Sequence, residues 1–433
     1  MRRLRIVRNG ATWLHSGSDS FADSAVGLVS AHVGARHPGH GRSVSSRSSG
    51  ITPDERQTSP AKSADTGAPV AAYAYMDAFR FMLALAVAFG HVWALFIRDY
   101  QPTADTGVNI LYFAAGFAHP GVVMFFVLSG YWISKSVIGR AEAGWRWSGY
   151  LIDRLSRLLV VLIPALAIGG ALDAAALYLM HSPTHLGETD TYVLKTDVAA
   201  NLAPDVLLGN LLFLQGILAR PFGSNGPLWS LAYEFWYYIW FPAIFLTYRR
   251  RRLSAALIAL VLALLAPELM FGFISWSCGS LLFFLEARLR QKGARVTSLA
   301  RRLLLPAAML FSIILVWGRT GDFSYEDPML AAGFSAFLLA LLLANPAPFR
   351  GIAALAAYGA GASFSLYAIH FPIMAFAAGL FVGAQRFAPN SSSIGLAALV
   401  LLTTVGAAWL FSRATESRTN TVRRAARGIL AGR

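Results

Sequence analysis

The sequence predicts an all-α fold, a polytopic membrane helix bundle of about ten transmembrane helices, and three observations predict it. Hydrophobic residues make up 56% of the 433-residue chain and charged residues only 14%, whereas soluble domains carry about 25% charged residues. Apolar runs close to the ~20 residues that cross a bilayer recur from Tyr73 onward. Arginines concentrate in alternate connections between these runs, as expected when basic loops stay on the cytoplasmic side.

The chain divides into three segments. Residues 1–72 are rich in Ser, Gly, Arg and Pro and lack a long apolar run, which predicts a disordered basic N-terminal extension. Residues 73–415 hold the apolar runs and are predicted to form the transmembrane domain. Residues 416–433 carry several arginines and are predicted to be a basic cytoplasmic tail.

Ten spans are predicted from the apolar runs: 78–98, 118–137, 158–180, 226–247, 253–268, 270–287, 303–318, 328–345, 363–384 and 394–412. The stretch 204–219 is also apolar but contains Pro204 and Asp205, so we predict a short interfacial or external helix there. Ten spans place both termini in the cytoplasm and make 98–117, 181–225, 319–327 and 385–393 external loops.

Charge and cysteine content exclude several functions. The net charge is +15, but the arginines lie between apolar segments and at the two ends, so we predict an anionic lipid surface as their partner and no nucleic acid. The one cysteine, Cys278, rules out an internal disulfide and argues against a cysteine zinc site. No metal and no bound cofactor are predicted.

The first span carries a polar stripe formed by Asp77, Arg80 and His91. Arg80 and His91 are about three helical turns apart, roughly 16 Å along one face, and Asp77 shares that face. Ionisable groups inside a span generally face the bundle interior, where they serve function. The alternative is an interfacial anchor for Arg80 and a packing role for His91.

A second cluster opens the fourth span and ends at Glu234. Helix rise places Glu234 at a depth similar to that of His91, so we predict that this carboxylate orients the imidazole as a general base. The alternative is a purely structural pairing of Glu234 with an arginine.

Three further segments are candidates. Ser129 and Gly130 lie in the second span, where small residues also serve helix packing. Arg154 and Arg157 share a face at the inner end of the third span. They either bind phosphate groups, such as those of CoA, or are ordinary cytoplasmic anchors. His370 lies two residues before Pro372, a pattern that suits a helix lining a cavity.

Four segments in order resemble the integral membrane acyltransferase-3 family of O-antigen, exopolysaccharide and Nod-factor O-acyltransferases. The family's Arg/Lys-x10-His signature matches Arg80 to His91, and Phe-Phe-x-x-Ser-Gly matches Phe125 to Gly130. Trp-Ser-Leu-x-x-Glu matches Trp229 to Glu234, and Ser-x-Tyr-x-x-His-x-Pro matches Ser365 to Pro372. The resemblance covers about residues 73–415. The family often ends its last span with Glu-Pro, but Ser417 follows Glu416 here, so Glu416 is assigned no role.

The resemblance implies a multi-pass enzyme of the inner (plasma) membrane that transfers an acyl group, most often acetyl, from acyl-CoA (acetyl-CoA) to a carbohydrate or glycolipid acceptor. It implies catalytic roles for His91, Glu234 and Arg80. Substrate-binding roles are expected for Asp77, Ser129, Arg154, Arg157, Trp229, Tyr367 and His370. A glycan transporter or flippase is the alternative, although no internal repeat of the kind common in transporters is visible; a non-catalytic scaffold or sensor is the third possibility.

Overall fold

The computed structural model describes residues 70–430 except 196, 321–325, 360 and most positions between 251 and 266. Within these residues there are thirteen α-helices and no β-strand, so the predicted all-α fold is confirmed. The helices are α1 Tyr73–Phe96, α2 Thr106–Ala115, α3 Ala118–Glu142, α4 Trp147–Tyr178, α5 Pro204–Leu211, α6 Trp229–Arg250, α7 Pro267–Arg290, α8 Ala294–Thr320, α9 Glu326–Ala344, α10 Arg350–Gly359, α11 Ser363–Phe381, α12 Ser391–Ala414 and α13 Thr419–Leu430.

The helices are those of a multi-pass membrane protein. Eight stretches among the described residues are long and apolar enough to cross a bilayer: Tyr73–Phe96, Thr106–Glu142, Trp147–Tyr178, Leu269–Arg290, Ala294–Gly318, Asp327–Ala344, Ser363–Phe381 and Ser391–Ile429. The 22-residue α6 matches predicted span 226–247 in position, but it is less apolar because it is rich in Trp and Tyr. The predicted span 253–268 falls largely outside the described residues, as does the predicted extension 1–72 except for its last three positions.

The structure adds helices where the sequence analysis predicted none. The predicted loop 98–117 contains α2, whose first turn is capped by Asp105 because its carboxylate accepts from Val108 N at 3.1 Å. The predicted tail contains α13. The stretch 204–219 does contain the predicted short helix, α5, which begins at a proline.

The first helix, α1, lies at the centre of the bundle and packs against α3, α10, α11 and α12. Its contact face is built from small side chains such as Ala84 and Ala88. At Gly90 a Cβ would lie 2.6 Å from Ala115 O of α2 and 2.7 Å from the Cβ of Ala118 in α3, so a larger residue would not fit. Small residues let helices in a membrane approach closely, and this packing surrounds His91 with protein.

The end of α1 is held by a buried arginine from the loop between α11 and α12. The Arg386 side chain is 2% exposed and donates to the carbonyls of Ala94 at 3.1 Å and Ile97 at 3.0 Å. It also donates to Asp190 at 3.1 Å and Asp99 at 2.9 Å. The last carbonyls of a helix lack hydrogen-bond partners within it, so the Arg386 side chain supplies donors for them. These bonds hold the end of the helix that carries His91.

The long connection between α4 and α5 is anchored by a buried Ser–His–Asp chain. Ser182 Oγ lies 3.1 Å from His185 Nδ1, and His185 Nε2 lies 3.2 Å from Asp173 Oδ1. Asp173 also accepts from Ser224 N at 2.7 Å. The same residue types make hydrolytic triads, but each of these three side chains is 1% exposed. We therefore interpret the chain as a structural link between the connection, α4 and the segment before α6.

Candidate active site

Two histidines from separate helices form the centre of the candidate site. His91 in α1 and His370 in α11 are joined by a hydrogen bond of 2.8 Å between His91 Nδ1 and His370 Nε2. Their rings are nearly parallel, and Phe371 packs edge-on against His91. His370 is buried, whereas His91 is half-buried, so His91 is the member of the pair that a substrate reaches more easily.

The hydrogen-bond network around the pair assigns the tautomers. His370 Nδ1 lies 2.9 Å from Tyr367 O and 3.1 Å from Leu366 O, and a nitrogen facing carbonyl oxygens must carry the proton. In a neutral imidazole the other nitrogen is then an acceptor, so His370 Nε2 accepts from His91 Nδ1–H. This assignment leaves the lone pair on His91 Nε2 free, as a general base requires.

The predicted contact between His91 and Glu234 is wrong. The Glu234 carboxylate in α6 accepts from Ser129 Oγ at 2.7 Å and from Tyr238 OH at 2.5 Å. Ser129 in turn accepts from Trp276 Nε1 at 3.2 Å. The sequence analysis found the carboxylate but not its partners, because depth along a helix does not fix which neighbour a side chain faces.

Gly130, beside Ser129, lets α3 and α7 approach closely. A Cβ on Gly130 would lie 2.1 Å from Trp276 O, and one on Gly279 would lie 1.9 Å from Val127 O. The glycine of the Ser-Gly element therefore serves helix packing, whereas its serine donates to Glu234.

The third and fourth motifs contact each other directly. Tyr367 OH donates to Pro227 O at 2.9 Å and is hydrogen-bonded to Ser230 Oγ. Asn225 Nδ2, just before α6, donates to Ala368 O at 2.9 Å. These bonds fix the start of α6 against the part of α11 that carries His370. Trp229 itself is half-buried and packs edge-on against the ring of Phe126.

Arg80 lies among charges from four segments. Its guanidinium is 3.8 Å from Asp77 and 21% exposed, which confirms the predicted shared face of the two side chains. It also interacts electrostatically with Arg157 of α4, Glu234 of α6 and Glu416. Arg157 is exposed, and Arg154 donates to Ser136 Oγ at 2.6 Å. The candidate donor-binding arginines thus lie on the α1–α4 side of the bundle.

The sequence analysis missed Glu416. This carboxylate accepts from Ser365 N at 3.2 Å and from Ser365 Oγ at 2.7 Å, at the first turn of α11, where a negative charge also suits the helix dipole. It links the segment after α12 to the motif that contains His370. The signal was the family's Glu at the end of the last span, which we discounted because Ser417 replaces the usual proline.

Two other features lie apart from this arrangement. An apolar groove of about 540 Å³ between α4 and α5 is lined by residues such as Ile163, Gly170 and Leu207, none of them from the four motifs. In the part of the chain that the structure describes, no three His, Cys, Asp or Glu residues are grouped as metal ligands.

Comparison with known proteins places helices α1 to α12 in one family. The model of the acyltransferase-3 family, described as an acyltransferase domain, matches residues 73–413. No curated protein and no solved structure gives a significant match.

Proposed function

This chain belongs to the acyltransferase-3 family of membrane acyltransferases, and on that premise we propose that it transfers an acyl group, in the first instance acetyl, from cytoplasmic acyl-CoA to a hydroxyl of a cell-surface or exported carbohydrate. The acceptor is either a free glycan or a glycolipid in the inner (plasma) membrane. The observation that carries this proposal is the His91–His370 pair, whose network leaves one imidazole nitrogen free as a base.

In the proposed reaction His91 Nε2 accepts the proton of the acceptor hydroxyl. The hydroxyl oxygen attacks the thioester carbonyl carbon, a C–O bond forms and the C–S bond breaks. CoA leaves as a thiolate and takes the proton from the imidazolium, so the base is restored. A variant in which His91 first accepts the acyl group covalently uses the same free nitrogen.

Charged residues are proposed to place the donor. Arg80, Arg154 and Arg157 bind the CoA end of the substrate, since guanidinium groups bind phosphates well. About three turns of α1, roughly 16 Å, separate Arg80 from His91. The pantetheine arm of the donor has to span this distance. Asp77 holds Arg80 in place.

Glu234 is proposed to act through charge rather than through contact with the base. Its carboxylate interacts electrostatically with Arg80 and with Tyr367. These two residues lie on α1 and α11, the helices that carry the histidines. Ser129 fixes the carboxylate, whereas Trp229 and Tyr367 shape the wall between α6 and α11.

The test is an acyl-transfer assay with purified protein and labelled acetyl-CoA. Wild-type protein is expected to consume the donor, whereas a transporter or flippase leaves it intact. General-base help is worth about 10²–10⁴ in rate, so His91→Ala should lose at least about 100-fold in kcat while keeping its expression level and melting temperature. Near-normal turnover by His91→Ala would remove this residue from the chemistry.

A second test separates charge from shape at Arg80. Arg80→Lys keeps the positive charge and Arg80→Ala removes it, so the KM for acetyl-CoA should rise less in the lysine variant. The measurement is KM for the donor in both variants at the same ionic strength. An equal rise in KM in the two variants would contradict a role for the positive charge of Arg80.

A further inference from the structure

A cluster of arginines gathers around one buried carboxylate at the end of α4 where Arg154 lies. Asp153 is 5% exposed and lies one residue before Arg154. It is paired with Arg140 of α3, and it accepts from Arg427 of α13 at 2.7 Å. Arg423 Nε of α13 lies 3.4 Å from the same carboxylate. The C-terminal helix is therefore fastened to α3 and α4 through a single acidic group.

The cluster carries more positive charge than Asp153 balances. Arg154 joins it through Ser136, whose hydroxyl accepts from Arg154 at 2.6 Å and from Arg140 at 3.4 Å. Arg140 and Arg154 also lie over the ring of Tyr150. The cluster thus holds four guanidinium groups and one carboxylate, which leaves an excess of three positive charges.

One of these guanidinium groups has a buried N–H donor without a hydrogen-bond partner, Arg154 Nε, and Arg423 Nε has only its 3.4 Å ion pair with Asp153. A buried donor that stays unpaired is destabilising, and several cations held together in a half-buried site repel one another. Both problems are removed when an anion with several oxygens binds between the arginines, because guanidinium and phosphate form paired charge-assisted bonds.

The cluster is continuous with the candidate active site. Arg157 follows Arg154 by about one helical turn, roughly 5 Å along α4. The Arg157 guanidinium interacts electrostatically with both Arg80 and Glu416. Arginines therefore form a track from α13 along α4 to α1. The α13 arginines lie beyond residue 413, where the family match ends, so the match does not include this part of the track.

Resting on the proposed acyl-CoA donor, we propose that this cluster is an anion subsite for the phosphates of the donor nucleotide, the ribose 3′-phosphate above all. Its members are Arg140, Arg154, Arg423 and Arg427. In this arrangement α13 is a substrate-binding element that holds the nucleotide while the pantetheine arm extends along α1 toward His91.

The test compares two donors that differ by one phosphate. Arg423→Ala/Arg427→Ala should raise KM for acetyl-CoA about 10- to 100-fold with little change in kcat. With 3′-dephospho-acetyl-CoA the variant and the wild type should have similar KM values. Arg424→Ala is the matched control, because Arg424 is on the same helix, is exposed and bonds to Asn420 O at 3.4 Å. An equal rise in KM for both donors, or no rise for either, would overturn the proposal.

Direct binding separates this proposal from the proposed reaction. Adenosine 3′,5′-bisphosphate should bind the wild type and Arg424→Ala and bind the double variant at least about tenfold more weakly, whether or not the protein turns over any substrate. A protein without transferase activity that still shows this pattern would refute the reaction but keep the subsite. Equal binding by all three proteins would refute the subsite alone.

A phosphate also occurs in lipid headgroups, so the binding measurement is made in two kinds of nanodisc. Discs of phosphatidylcholine and discs that include phosphatidylglycerol should give the same difference between wild type and double variant. If the wild type binds the bisphosphate no better than the double variant in phosphatidylcholine, and the two differ only in their retention of phosphatidylglycerol, the arginines serve lipid and the proposal fails.

Discussion

At the scale of single residues, the direction of one hydrogen-bond chain sets the chemistry of the site. Backbone carbonyls of α11 accept from His370 Nδ1, and His370 Nε2 accepts from His91. A carboxylate partner would add negative charge beside the base. A second neutral imidazole instead fixes the tautomer and the ring orientation without adding charge. In a low-dielectric interior, where an unpaired charge is expensive, this arrangement avoids a buried anion at His91.

The role of His370 as a positioning residue predicts a split between rate and binding. His370→Ala removes the acceptor for His91 Nδ1–H, so the imidazole can turn and change tautomer. Loss of a partner that orients a metal-bound histidine typically costs about 10- to 100-fold, and we expect a loss of the same order in kcat here, with the KM for acetyl-CoA within about twofold. His370→Gln, which offers a carbonyl oxygen, should retain more activity than His370→Ala.

The control for that comparison is His119→Ala. His119 is exposed, pairs with Asp327 at 2.9 Å and belongs to none of the four motifs, so its loss should leave kcat unchanged. If His370→Ala turned over like the wild type, His91 would not depend on His370 for its orientation.

At the scale of helices, the four motifs are contact surfaces as much as they are chemical groups. Ser129 of α3 binds Glu234 of α6, Tyr367 of α11 binds Pro227 before α6, and Glu416 binds the first turn of α11. Each motif therefore places a neighbouring motif. This explains why polar residues recur at these positions in helices that are otherwise apolar.

The close approach of α3 and α7 gives a prediction with a control in the same helix. A Cβ on Gly130 would lie 2.1 Å from Trp276 O, whereas nothing lies within 4 Å of a Cβ on Gly139. Gly130→Ala should therefore push the helices apart and destabilise the protein by about 1–3 kcal/mol. Gly139→Ala should be neutral or stabilise by about 0.5–1 kcal/mol.

Thermal unfolding of both variants in the same detergent measures this difference. Gly130→Ala should also lose activity, because the Trp276–Ser129 hydrogen bond that supports Glu234 lies at the same contact. Equal melting temperatures for the two variants would show that α7 moves away without loss of stability.

At the scale of the whole molecule, orientation follows from the distribution of arginines. The segments that flank α11 are α10, which begins at Arg350, on one side and the connection 385–393 on the other. The arginine bias predicts that the first is cytoplasmic and the second external. The same bias predicts a cytoplasmic position for Arg423 and Arg427, the side of the proposed acyl-CoA donor.

The single cysteine makes this orientation testable. In a Cys278→Ser background, Asn390→Cys should react with a membrane-impermeant maleimide added to intact cells, and Arg350→Cys should react only after the membrane is opened. The readout is labelling of the purified protein with and without permeabilisation. Labelling of both positions from the same side would contradict the predicted topology.

The sequence by itself determined the membrane class, the all-α fold and the identity of the four motifs, because hydropathy and spacing along one helix are local properties. Asp77 and Arg80 pair as their spacing predicts. The sequence analysis does not predict α2, because its apolar run is shorter than a membrane span and Asp105 alone does not identify a helix start. α13 was missed because a basic segment does not reveal the buried carboxylate that holds it.

Only the tertiary structure decided which helices face one another. His91 and His370 are far apart in the chain, and neither residue's local pattern names the other as its partner. Whether Glu234 or His370 is the hydrogen-bond partner of His91 depends on the rotation and tilt of α6 and α11 around α1. Those angles are set by contacts such as Tyr367 against Pro227 and Gly169 of α4 against Pro372 of α11, in which the fit between two surfaces, rather than either sequence alone, fixes the geometry.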